Sequence, residues 1–321
     1  MPKASSPSTE LEVGGRTVRI SNPDRIYFPD LGLTKLDLAQ YYLAVGDGIV
    51  NALRERPCMM HRFPTGITGE RVHQKRLPRG APDWVETVQL TFPRYNLTAD
   101  ELCVTELAQV IWSVQMSCVE FHPWNSRRGH VEQPDEWRID LDPGEECDFA
   151  TVRRVCGVVA EVLEELGAVG WPKTTGSKGI HVYVRIPPTH GFQDVRRAAL
   201  AFAREVERRT DEATTVWWRK ERDPRRVFLD YNQNARDHTI ASAYSVRAGE
   251  AAQVSAPLRW EEVPDCDPRD FTMLTMPGRF AALGDLWEGI DEAVFDLAPL
   301  LEWAGRDEAQ GETSVVDDAP A

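Results

Sequence analysis

The stretch WRIDLDP, residues 137–143, sets two aspartates one residue apart in a run that otherwise reads as a buried strand. Side chains alternate faces along a strand, so Ile139 and Leu141 point one way while Asp140 and Asp142 point the other. Two carboxylates that close repel each other unless a cation or a strong donor lies between them. Working outward, the pattern stays regular. FATVRRVCGVVAEVLEELGA (149–168) predicts a helix with Val152, Val155, Val159, Val162, Leu163 and Leu166 on one stripe. VGWPKTT and IHVYVRI read as strands flanking the loop GSKG. FQDVRRAALAFAREVERRT reads as a second helix with Val195, Ala199, Phe202 and Val206 aligned, and RRVFLDY (225–231) as another strand. The order β-α-β-β-α-β predicts one antiparallel sheet backed by two helices, within an α+β fold.

Before residue 136 the sequence predicts a mixed α/β module over 10–135. LEVGGRTVRIS (11–21) reads as a hairpin, and TKLDLAQYYLAVGDGIVNAL starts a helix with Thr34 as its cap. Residues 1–9 are expected to be disordered and 301–321 to form an acidic flexible tail, leaving 136–300 as the second module. The six cysteines are scattered with no C-x-x-C pair, which favours buried thiols over a disulfide or zinc framework. No run reaches the roughly 18 apolar residues that span a bilayer. The expected location is the cytoplasm, associated with the nucleoid, with no membrane partner. The net charge of −14 argues mildly against a nucleic-acid partner, but basic residues cluster in 61–79, 125–130 and 217–226 on an otherwise acidic chain.

Asp230, at the end of the last strand, makes a third carboxylate able to converge with Asp140 and Asp142 on the sheet face away from the helices. Such an oxygen-rich set suits two Mn²⁺ or Mg²⁺ ions, which clamp a triphosphate and activate a sugar hydroxyl. The plainer reading of DLDP is a strand end followed by a proline turn.

DLDP, TTGSKGIHVYV and VFLDYNQN…YSVRA, in this order and spacing, resemble the polymerase domain of bacterial ligase D proteins, within the archaeo-eukaryotic primase superfamily. The likeness runs from SNPDRIYFPDLGLTK to about residue 290. It implies a primase-like fold whose catalytic module is RRM-like, and a primase-polymerase that extends DNA in gap filling or end joining, favouring ribonucleotides. The resemblance makes Asp140, Asp142 and Asp230 the catalytic metal ligands. It gives nucleotide contacts to His122 (in VEFHPW), Thr175, Ser177, Lys178, His181, Gln233 and Arg247, with Arg222 beside the position, Asp223, at which relatives carry an arginine. Asn22, Arg25 and Lys35 match a pocket for a DNA 5′-phosphate, relatives commonly having Lys at Arg25 and Ser at Thr175. In GERVHQKR, Val72, His73, Lys75 and Arg76 match a DNA-contact loop whose relatives carry an aromatic pair at Val72-His73; valine offers no π face for stacking on a base.

No K-x-D-G ligase motif is present, so the resemblance implies a stand-alone polymerase of actinobacterial type. Its implied partners are gapped or broken DNA bearing a 5′-phosphate, NTP or dNTP, Ku and a separate DNA ligase. The competing expectations are a catalytically silent DNA-end-binding scaffold and, with less support, a two-metal nuclease.

Overall fold

A computed structural model describes residues 7–92 and 96–312, which divide into two compact units. The first comprises the chain up to Pro123 with Ala241–Ala256 and Arg269–Glu288. In it β1 (Ser8–Val13) and β2 (Arg16–Ser21) form the expected hairpin, followed by the small pair β3 (Ile26–Phe28) and β4 (Leu33–Thr34). The expected cap at Thr34 is present: its hydroxyl accepts from Asp37 N–H at 3.1 Å while the Asp37 carboxylate accepts from Thr34 N–H at 2.7 Å. The helix it starts is two helices, α1 (Lys35–Ala44) and α2 (Gly46–Leu53), broken at Val45. Beyond them β5 (Pro57–Arg62) pairs with β6 (Val72–Gln74), β8 (Leu97–Cys103) and β9 (Cys118–Pro123), and β7 (Thr87–Phe92) pairs with β8. Between β8 and β9 runs α3 (Leu107–Gln115).

The second unit carries the pattern that WRIDLDP announces: β10 (Glu136–Pro143), α4 (Phe149–Leu166), β11 (Trp171–Thr174), β12 (Ile180–Arg185), α5 (Phe192–Arg209), the short β13 (Ala213–Thr214) and β14 (Val227–Leu229). The sheet order is β11-β12-β10-β14-β13. The sheet is not purely antiparallel as expected, because β13 adds a fifth strand parallel to β14. Asp148 caps α4 by accepting from Thr151 N–H at 2.8 Å. Val152, Val155, Val159 and Val162 of α4, and Val195, Ala199, Phe202 and Val206 of α5, are buried together with Trp137, Ile139 and Leu141 of β10. Each of the valine, leucine, isoleucine and phenylalanine side chains contributes about 1.5–3 kcal/mol by leaving water. The Trp137 and Phe202 rings meet edge to face at 4.8 Å. This apolar packing uses up one face of β10 and leaves Glu136, Arg138, Asp140 and Asp142 on the other.

The module boundaries read from sequence need correction. The second unit begins at Trp124, and the first takes back two later segments before and after Pro257–Pro268. In the first unit's last segment lies α6 (Met276–Leu283), and in the second unit's lies α7 (Ala298–Ala309). Residues 301–309, expected to be flexible, are helical and tied to α5: Arg197 pairs with Glu308 at 2.9 Å, and Arg208 with the fully buried Asp307 at 2.8 Å. Residues 8 and 9, expected to be disordered, belong to β1. Residues 1–6 and 313–321 lie outside the described residues. None of the six cysteines forms a disulfide, and five of them are buried. No helix among the described residues is long and apolar enough to cross a membrane.

Candidate metal centre and nucleotide site

Asp140 and Asp142 sit two apart on β10, and Asp230 follows β14, the strand paired with Leu141–Pro143. Asp230 is held in place by its own backbone, whose N–H donates to Asp140 O at 2.9 Å. One oxygen from each of the three carboxylates lies within 4.8 Å of the others. Burial, then the neighbouring charge of Asp230, pushes the Asp142 carboxyl above its ordinary range, and the Arg222 guanidinium pulls it partly back. Burial raises Asp230 as well, against donation from Asn232 N–H at 3.0 Å. Carboxylates raised by burial and by one another carry a repulsion that a divalent cation relieves. The set is all oxygen, as hard ions such as Mg²⁺ and Mn²⁺ prefer. The residues fit the group.

Strand register explains the next contact. Lys173, His181 and Asp140 stand opposite one another across β11, β12 and β10, and opposite residues share a face. His181 Nε2 lies 3.1 Å from Asp140 Oδ1, and Lys173 Nζ lies 2.8 Å from His181 Nδ1. Both imidazole nitrogens thus have partners inside the protein. His181, expected to touch the triphosphate, has its ring held between Lys173 and the Asp140 carboxylate.

The turn after β11 is shaped by Thr175, whose hydroxyl accepts from Ser177 N–H and Gly179 N–H, each at 3.1 Å. Gly176 adopts φ +70°, a left-handed conformation that side chains resist. At Gly179 a Cβ would come within 2.5 Å of Leu141 O. These constraints press the turn against β10 and leave Ser177 and Lys178 exposed at its tip.

Asp142 also lines a cleft of about 690 Å³ edged by Arg219, Lys220, Arg222 and Phe228. Of the two neighbouring positions in that stretch, Arg222 and Asp223, the arginine is held by backbone carbonyls. Its guanidinium donates to Val216 O and Trp217 O, both at 2.7 Å, and lies 3.3 Å from the Phe228 ring centre, where the charges of Asp230 and Asp142 act on it. Asp223 instead pairs with Arg225 at 2.7 Å. Gln233 reaches Asp230 Oδ2 at 3.4 Å.

The remaining expected residues lie in the first unit. His122 Nε2 meets Glu120 Oε2 at 2.8 Å, and Arg247 Nε stands 3.5 Å from Glu120 Oε1. Lys75 lies over the Phe92 ring at 4.6 Å, Arg76 donates to Thr98 O at 2.6 Å, Val72 is half-buried and His73 is exposed. Arg25 is exposed and donates to Pro64 O; Asn22 is half-buried with a left-handed backbone. Lys35 departs from expectation. It is 4% exposed, and its ammonium donates to Ser21 O, Gln115 O and Gln115 Oε1 at 3.1, 2.7 and 2.9 Å. Its three donors are directed at internal carbonyl oxygens.

Sequence reasoning missed Lys173, which WPKT places one strand-face period before Thr175. It also missed His238, an exposed imidazole close enough to Asp230 for the two to interact electrostatically. Neither has a local signature, since their meaning comes from strand pairing and chain return.

Residues 34–287 match the family model for the LigD primase-polymerase domain. The multifunctional non-homologous end joining protein LigD of Pseudomonas aeruginosa is 31% identical over 289 residues, covering 89% of this chain and 34% of that protein. The bifunctional LigD of Bacillus subtilis is 28% identical over 270 residues, covering 83% of this chain and 43% of that protein. This chain therefore spans a third to less than half of the length of these relatives. Among solved structures, the polymerase domain of Mycobacterium tuberculosis ligase D in complex with DNA superposes with a TM-score of 0.79 at 26% identity, covering 86% of this chain and 98% of that one. With its acidic centre, its constrained glycine turn and these likenesses, the chain belongs to the LigD primase-polymerase domain family, a family of nucleotidyltransferases.

Proposed function

We propose that this domain is a metal-dependent primase-polymerase that adds nucleotides, favouring ribonucleotides, to a primer 3′-OH during DNA gap filling or double-strand break end joining. The observation that carries this reading is the convergence of Asp140, Asp142 and Asp230 at the edge of a cleft bordered by arginine and lysine. Asp140, Asp142 and Asp230 would hold two Mn²⁺ or Mg²⁺ ions, which when bound neutralise phosphate charge and lower the pKa of the attacking hydroxyl. Arg222, anchored by two carbonyl groups, presents its guanidinium toward the cleft with little entropy left to lose. Lys178 and Ser177, at the tip of the rigid turn, serve the triphosphate, and Thr175 fixes that turn. His181 and Lys173 hold the Asp140 carboxylate in one orientation. Gln233 positions Asp230. Arg247 and His122 enter as nucleotide contacts through the sequence resemblance, and Arg25 with Asn22 as the grip on a DNA 5′-phosphate, buttressed by Lys35. Ku and a separate ligase are the proposed partners at the break.

Primer extension on a gapped, 5′-phosphorylated duplex with Mn²⁺ and each NTP or dNTP tests this. Wild-type protein should extend, with NTP preferred, and Asp230→Asn should lose at least about a thousandfold in rate, as when a metal-centred charge clamp is removed, while keeping its DNA affinity. Retained extension in the variant overturns the assignment. A wild-type protein that binds ends without extending them would instead be the silent scaffold.

A further inference from the structure

A second cluster of metal-binding side chains lies in the first unit, outside the aspartate centre. His73, His61 and Glu120 stand directly opposite one another across β6, β5 and β9, and His122 follows Glu120 on the same face of β9. The rings of His61 and His122 stack with centres 3.7 Å apart, and His73 stacks on His61 at 4.5 Å. One ligand atom from each of His61, Glu120 and His122 lies within 4.8 Å of the others, and all three residues are buried.

The hydrogen bonding of the cluster is incomplete. Glu120 Oε2 faces His61 Nδ1 at 3.0 Å and His122 Nε2 at 2.8 Å, while Oε1 accepts from Ala248 N–H at 2.8 Å. His61 is 6% exposed, and its second ring nitrogen, Nε2, is buried with no partner among the described residues. A buried imidazole nitrogen without a partner costs free energy in either tautomer.

We propose that His61, Glu120 and His122 form a second metal site, selective for a borderline ion of the Zn²⁺ class and distinct from the aspartate centre. Two imidazoles and one carboxylate are a recurring zinc ligand set, leaving one tetrahedral position for water. Nitrogen donors also set the two sites apart chemically, because Mg²⁺ and Mn²⁺ favour oxygen while imidazole favours Zn²⁺, Co²⁺ and Cu²⁺. The ion would tie β5 to β9 at the row that His73 extends onto β6. His73 stands where relatives of this family carry an aromatic residue, so the site joins a departure in the DNA-contact loop to a buried cluster behind it.

Equilibrium dialysis of the full chain against micromolar Zn²⁺ in a large excess of Mg²⁺, followed by metal analysis, tests the site. About one zinc per chain is expected, and Co²⁺ in its place should give the visible bands of a nitrogen-containing site. His61→Asn and Glu120→Gln should each weaken Zn²⁺ at least about tenfold, the range seen even for outer partners of metal ligands. Asp230→Asn should leave it unchanged, which separates this result from failure of the polymerase assignment. Zn²⁺ should raise the melting temperature of the wild type and not of His61→Asn, a readout that also reports whether the variant folds. No bound zinc, or binding abolished by Asp230→Asn and untouched by His61→Asn, overturns the proposal.

Discussion

Lys35 shows at the level of one side chain how position along a strand or helix misleads about chemistry. Its place after SNPDRIYFPDLGLT matches a phosphate-binding lysine, yet its ammonium is enclosed by three carbonyl acceptors. Burial, with help from the charges of Arg25 and Arg62, lowers its pKa to about 8. Between that value and the ordinary 10.5, the unfolded chain holds a proton that the folded one has released, so stability rises as pH climbs through this window. The buried charge is a cost at neutral pH and is relieved above pH 8. The folding free energy of wild type minus that of Lys35→Gln, from urea melts at intervals between pH 7 and 10.5, should therefore increase with pH, by on the order of 3 kcal/mol in full. A flat difference would mean that the ammonium is solvated. The aspartates are the opposite case. Their alternation in WRIDLDP was legible because period two fixes which face a strand residue takes, whatever the fold around it. Nothing so local marks His61, whose partner Glu120 lies on β9 with several elements between, or Lys173, whose partner His181 is fixed only by the register of β11 on β12.

At the scale of elements, two glycines separate close packing from helix propensity. Gly179 opens β12, where a Cβ would reach Leu141 O at 2.5 Å, a backbone atom that cannot swing aside. Gly157 lies exposed in the middle of α4, with open space where a Cβ would be. Gly179→Ala should therefore push β12 from β10, lose about 2 kcal/mol or more in a denaturant melt, and weaken nucleotide binding through the displaced turn. Gly157→Ala should gain about 0.5–1 kcal/mol with catalysis unchanged. Equal and small effects at both positions would show that the turn is not pressed against β10. The helices α4 and α5 were readable from their apolar stripes and from the cap at Asp148, because helix signals are carried by the segment itself. β13, two residues long, has no periodicity to read, and it exists only because β14 offers it an edge. The helix α7 was hidden by its own composition. An acidic segment reads as a solvated tail until arginines on α5 are set against it, and Asp307 is buried only because Arg204 and Arg208 reach it.

The same dependence on distant partners governs the whole molecule. Sequence divides the chain into consecutive modules, since composition changes along a line, whereas the folded chain exchanges segments. Ala241–Ala256 returns to the first unit, where Ser242 N–H donates to Phe121 O at 2.9 Å and Tyr41 donates its hydroxyl to Tyr244 O at 2.8 Å. Pro257–Pro268 goes back to the second, where Leu258 N–H donates to Pro172 O at 2.9 Å and Trp260 Nε1 to Gly170 O at 2.8 Å. A fragment cut at 136–300 keeps the aspartate triad but takes Ala241–Ala256 and Arg269–Glu288 without the strands and helices that satisfy them. It also removes Asn125, whose side-chain amide donates to Glu136 O at 3.3 Å, and Asp307, leaving Arg208 on α5 without its 2.8 Å partner. The fragment 136–300 should therefore melt broadly, bind a hydrophobic dye and fail to retain divalent ions, while the chain 7–312 unfolds in one or two sharp transitions. A sharp transition and dispersed NMR spectrum from 136–300 would show that the catalytic sheet folds on its own, and that the exchanged segments only decorate it.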